Sequence, residues 1–212
     1  MKIISFTMFL VAVVFVMLIA ALNYYPRGGN AATHNVTLST DVQTALTFDI
    51  TQNDTVAFGN LTPGTPIIKP NGPPAGTIAT VTTNAANGYT IGISDGSNID
   101  SCLVNAGTYI LDYAGNFTTP TVWTPGETGL GVTMYAASNG HKEGKWGTGT
   151  TYNDANNKFA GVPAADTADA HVVTGYNAGA DTSTWSFQVD VPPDQPSGAY
   201  SGAMTFTATM VL

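Results

Sequence analysis

STWSFQVDVPPDQPSGAYSGAMTFTATMVL, residues 183–212, is the stretch that decides the fold. Trp185, Phe187, Val189 and Val191 alternate with Ser186, Gln188 and Asp190 until Pro192 and Pro193 stop the run. Further on, Tyr200, Met204, Phe206, Ala208, Met210 and Leu212 share one face of an extended chain, and Ser201, Thr205, Thr207 and Thr209 share the other. Side chains of a strand point alternately to opposite faces, so this period of two predicts strands, the last of them half-buried. The PPDQPSG between them predicts pairing as a hairpin or packing across a sandwich.

The same alternation extends back towards the N-terminus. It predicts strands over 34–40, 44–51, 77–83, 88–94, 108–113, 131–137 and 171–176, all rich in Thr, Val, Ile and aromatic residues. Between them Pro63-Gly64, Asn71-Gly72-Pro73-Pro74, Asn87-Gly88, Asp95-Gly96, Pro125-Gly126 and Asn139-Gly140 supply the fixed or positive φ that turns require. No apolar repeat at helical spacing follows Leu22, and no period of repeat-protein length stands out. The prediction is one all-β domain over 33–212, an immunoglobulin-like or jelly-roll β-sandwich. Residues 138–170 are the least regular and read as a long surface excursion, a place where function often sits.

Ahead of this domain, residues 3–22 are an unbroken apolar run after Lys2. Such a run predicts a hydrophobic helix that meets lipid or a translocon, so residues 1–32 are expected to be an export signal or a membrane anchor. Pro26, Gly28 and Gly29 end the helix, and Ala31-Ala32 favours cleavage near Ala32; in a retained anchor Tyr24, Tyr25 and Arg27 would form the interfacial belt. A type IV pilin helix fits less well, because MKIISF has no basic-Gly processing site. The body is therefore expected outside the cytoplasm, at the cell surface.

Past residue 32 only 4 basic residues face 14 acidic ones, so nucleic acid is not an expected partner. The single cysteine, Cys102, excludes an intrachain disulfide and reads as a packed thiol. Gly-x-Ser-x-Gly, a phosphate-binding loop, His-Glu-x-x-His and Cys-x-x-Cys are all absent from the sequence. His34, His141 and His171 fall in different predicted elements and read as exposed or strand-edge residues. Oxygen-rich clusters at Asp95, Ser97, Asn98 and Asp100, and at Asn153, Asp154, Asn156 and Asn157, are candidate calcium loops, against the plainer reading as Asx turns. Asn35, Asn53, Asn60 and Asn116 stand in Asn-x-Thr sequons and are candidate glycan acceptors. Trp123 and Trp146 are candidates for a carbohydrate platform, whereas Trp185 alternates with core residues and is expected to be buried.

Taken in order, TTNAANGYTIGIS (82–94), NKFAGVP (157–163) and DTSTWSFQVDVPPDQPSGAYSGAMTFTAT (181–209) resemble secreted bacterial and archaeal β-sandwich surface proteins of the camelysin-type fibre and spore-coat class. The resemblance rests on turns and strands and carries over no active site. It implies a structural role in an envelope, coat or filament, with the chain itself as partner and, in some members, a donated terminal strand. After cleavage at Ala32 the mature chain would start THNVTLST, with Val36 and Leu38 on one face. This segment is expected to form the first strand of its own sheet; donation to a neighbouring subunit is the alternative.

Three functions compete. The first is a self-assembling subunit of a surface filament, sheath or coat. The second is a module binding carbohydrate or another envelope component through the 138–170 loops. The third is a hydrolase using loop carboxylates such as Glu127, Glu143 or Asp154, and it is held lowest because the chain has only these two glutamates.

Overall fold

In a computed structural model, residues 37–95, 103–165, 169–175 and 179–212, together with Met17, are described. The chain divides into two units, residues 1–42 and residues 43–212. The apolar run 3–22 apart from Met17, the cleavage region at Ala32, and His34, Asn35, Val36, Ser97, Asn98, Asp100 and Cys102 lie outside the described residues.

The second unit is an all-β sandwich. In chain order its strands are β1 (Leu46–Gln52), β2 (Ile67–Lys69), β3 (Thr77–Thr83), β4 (Gly88–Ser94), β5 (Val104–Asn105) and β6 (Thr108–Tyr109). They continue as β7 (Thr121–Val122), β8 (Gly129–Ala137), β9 (Lys158–Phe159), β10 (Asp169–Thr174), β11 (Asp181–Asp190) and β12 (Thr205–Met210). β11 is the spine of a five-stranded antiparallel sheet. One of its edges takes β3 at its N-terminal half and β2 at its C-terminal half, the other edge takes β8, and β1 lies outside β3. The second sheet has three strands in the order β10-β4-β12.

Register decides what each sheet buries. Trp185 pairs with Met134, Phe187 with Val132 and Val189 with Leu130, so these residues form one row facing the smaller sheet. From that sheet Tyr89, Ile91 and Ile93 of β4 face back, and the Trp185 and Phe206 rings meet edge to face at 5.8 Å. The chain passes from one sheet to the other between β3 and β4. There Gly88 (φ 84) is required, because a Cβ would run into the carbonyl of Val173. β11 and β12 therefore sit in opposite sheets; of the two arrangements open to them, packing across the sandwich is the one adopted.

Three expectations are corrected. Residues 37–45 form no strand, so the described part of 34–40 does not lead its own sheet; Thr83 and Asn84 bond the backbone of Gln43 and Ala45, and no strand ladder forms ahead of Leu46 among the described residues. Of 108–113 only Thr108 and Tyr109 are strand, paired with β5. The 138–170 stretch is not a surface excursion: Trp146, Ala160 and Val162 within it are buried in the core, and Phe159 is buried on the outer face of the large sheet. Ala160 pairs with Val132 along the outer edge of β8, and Ser186 and Gln188, which point away from the sandwich core, are buried beneath a layer of loops.

Candidate functional site

Three places in the second unit gather the candidate residues: an open groove, a polar network between the sheets, and a cleft on the outer face of the large sheet.

The groove follows from unequal sheets. Five strands face three, so the inner face of the outermost strand, β1, has no strand fully opposite it. In β3 and β4 the inner residues Ala79, Val81, Ile91 and Ile93 are at most 1% exposed. By contrast, Leu46, Phe48 and Ile50 of β1 and Phe206, Ala208 and Met210 of β12 remain half-buried. Between these two rows lies a cavity of about 390 Å3, lined by Ile50, Val56, Phe58, Met204 and Phe206, with the core residues Leu130 and Phe187 in its wall. Among the described residues β1 pairs only with β3, and β12 only with β4. Each strand thus keeps an edge unpaired among the described residues, and Asn53, Asp54, Thr55 and Thr77 add polar groups to the otherwise apolar lining. In the first unit Leu38 and Val42 are 89% and 80% exposed.

The polar network ties the sheets together at one end. Register places Asp181 on the inner row of β11, opposite Val81, where its carboxylate is 2% exposed. It accepts hydrogen bonds from Tyr89 Oη of the facing sheet (3.0 Å) and from Ser138 Oγ, and it pairs with His141 Nδ1 at 2.6 Å. Burial pushes this carboxyl up, but the hydrogen bonds from Ser138, His141 and Tyr89 outweigh it and hold the group below its usual range. Burial and then the Asp181 charge push the Tyr89 hydroxyl far above its ordinary value. The Tyr89 ring meets His171 edge-on at 6.1 Å, and His171, fully buried, pairs through Nδ1 with Glu143 Oε2 at 2.9 Å. Burial opposes ionisation of Glu143 too. Bonding to His171, the nearby Lys145 charge and the Val172 N–H overcome it and lower its pKa.

Serine, histidine and aspartate meet here, but in the wrong order for a nucleophile. An activated serine needs its hydroxyl on the imidazole, which withdraws the proton. Ser138 Oγ is bonded to the carboxylate instead, and it also accepts from Thr182 N at 2.8 Å. The arrangement clamps the end of β8 to β11. It was not legible in the sequence: Tyr89 and Asp181 are 92 residues apart, and nothing local marks either as a partner. His171 lies on an edge strand, β10, one of the two expected positions, but is fully buried there, and His141 is partly buried.

Trp146 is also corrected. It is fully buried, its indole N–H donates to Ala170 O at 3.0 Å, and its ring meets Trp185 at 5.5 Å, so it presents no face to a sugar. Trp185 is buried as expected. Trp123 stays partly exposed on the outer face of the large sheet. It stacks on Tyr113 (4.4 Å, 12°) and meets Phe159 edge-on. The Trp123 ring and the side-chain bases of Tyr113 and Phe159 lie against Gly131, where a Cβ would come within 3.1–3.3 Å of them. The bare backbone at Gly131 lets the cluster sit directly on the sheet.

The remaining candidates separate by what their atoms already do. Asp154 Oδ1 accepts from Asn156 N (2.9 Å) and Oδ2 from Thr150 N (3.3 Å), and these bonds lower its pKa. Asn157 Nδ2 donates to Thr151 O at 2.8 Å. This is turn chemistry. Asp95 is buried, and among the described residues no group of three or more His, Cys, Asp or Glu is placed to hold a metal ion. Glu127 accepts from Thr124 N and Tyr113 Oη and so also closes a turn. Asn53 donates its amide to Gly76 O at 2.6 Å, whereas Asn60 and Asn116 are exposed. No protein-family model matches the chain, and no curated protein matches it.

Proposed function

We propose that the protein is a structural subunit of an extracellular assembly at the cell surface, a filament, sheath or coat, whose copies join by strand addition. The supporting observation is the groove between β1 and β12: two strand edges, unpaired among the described residues, flank a largely apolar slot of about 390 Å3 that reaches the core. A strand added there would find backbone partners along an edge and a place for alternate side chains in the slot. The chain itself carries a segment that could serve as such a strand. From Val36, the residues Val36, Leu38 and Val42 fall on one face of an extended segment, and Leu38 and Val42 are exposed. Export by residues 3–22 would place the subunit where copies can meet.

The test deletes residues 33–40 and, separately, replaces Ile50 by Lys in the slot. Gel filtration and negative-stain microscopy should show filaments or large oligomers for the parent and folded monomers for both variants. Assembly that survives both changes would overturn the reading, as would loss of the monomer fold on deletion.

A further inference from the structure

A second cavity lies on the outer face of the large sheet, away from the groove, because Phe187 and Gln188 point to opposite faces of β11. Its volume is about 320 Å3, within the range of small-molecule sites. One wall is Trp123 with Pro125, the other is the 153–157 loop with Asn153 and Asp154, and Gln188 contributes from the sheet. Outward residues of a sheet are normally solvated, yet Gln188 is 5% exposed because the two loops close over it. The sequence alternation assigned Gln188 to a polar face; the loops turned that face into the floor of a pocket.

The chemistry of the lining selects the ligand. The indole N–H of Trp123 is buried with no hydrogen-bond partner, as is the side-chain oxygen of Asn157, itself 1% exposed. Both residues line the cleft; the Asn157 oxygen packs against Gly149 at the back of its wall, so the amides of Asn153 and Gln188 are the ones that supply donors and acceptors beside Trp123. Asp154 is the only charged residue in the lining, so an anion is disfavoured. Both its oxygens are held by backbone N–H groups of its own loop, which leaves it poorly placed to chelate a cation. What remains is a rigid aromatic ring, held by Tyr113 and seated over Gly131, beside amide groups that donate and accept. A compact, uncharged molecule with many hydroxyls and apolar C–H patches complements such a surface.

We infer that this cleft binds a neutral saccharide, as a short unit of a surface glycan. The inference is independent of the assembly reading, since it uses other residues on the opposite face of the sheet. Titrating the full chain with glucose, galactose, mannose, N-acetylglucosamine and cellobiose, followed by tryptophan fluorescence and calorimetry, tests it. At least one sugar should bind saturably. Trp123→Phe, which keeps a ring but removes the N–H, and Asn153→Ala, on the exposed loop, should each weaken that binding about three- to tenfold, the effect of one lost hydrogen bond. Asn153→Ala should unfold at the parent temperature, which separates lost binding from lost fold. No saturable binding across the panel, binding unchanged in both variants, or a preference for galacturonate over the neutral sugars would overturn the inference.

Discussion

Along the β8 and β10 side of the sandwich, Trp146 is wedged between the sheets, bonded to Ala170 of one and packed on Trp185 of the other. Along the β1 and β12 side, the inner rows of both strands stay half-buried around an open slot. The two sides use similar strands and differ in what the intervening chain does. The 138–162 segment closes the first side, while on the second the slot remains between Val56, Phe58 and Met204. A monomer needs only one finished side to hold its core. The side left open is where a second chain gains most from burying apolar surface.

This contrast predicts unequal consequences for mutation. The largest should come from Trp146→Ala, which empties a fully buried site and removes the bond that ties it to β10. Monomer stability should fall by about 3–5 kcal/mol in urea denaturation. A stable Trp146→Ala protein would mean that this side is not what closes the core.

Next, Asp181→Ala strips the acceptor from Tyr89 and Ser138 and should cost about 1–3 kcal/mol at neutral pH. The folded carboxyl titrates below its ordinary value, so its contribution is fully present above about pH 4 and fades as pH falls through the lowered folded value. The stability gap between parent and Asp181→Ala should therefore narrow in acid. A gap that is flat from neutral pH to pH 3, measured by denaturant midpoint, would contradict the assigned network.

The smallest effect on the monomer should come from the open side. Ile50→Ala removes half-buried apolar surface only, and about 1 kcal/mol is expected. The same change should weaken assembly more than it weakens folding. Equal losses for Ile50→Ala and Trp146→Ala would erase the distinction between the two sides.

Much of the fold was legible. β3 and β4 coincide with their predicted spans, and β1, β8, β10 and β11 lie within about two residues of theirs, because a half-buried strand writes its period of two into the sequence. The site was legible only in pieces. Trp123 and the 153–157 loop were singled out separately, for unrelated reasons, and they line one cleft. Trp146 looked like Trp123 and turned out to be core. An aromatic residue in an irregular stretch has no periodic neighbours to report which way it faces.

By itself, the sequence determined that the chain carries an apolar run ahead of an all-β body, and where the long strands β1, β3, β4, β8, β10 and β11 run; the short strands β2, β5, β7 and β9 left no such signal. Alternation and turn chemistry are local, and they act through neighbours one to four residues apart. The tertiary structure decided that β12 joins β4 rather than β11, that Asp181 bonds a tyrosine 92 residues away, and that loops roof over Gln188 while, among the described residues, no further strand pairs with the outer edges of β1 and β12. Those outcomes depend on sheet order and on how many strands each sheet holds. They arise only when distant segments compete for the same edge, and no single segment records the result.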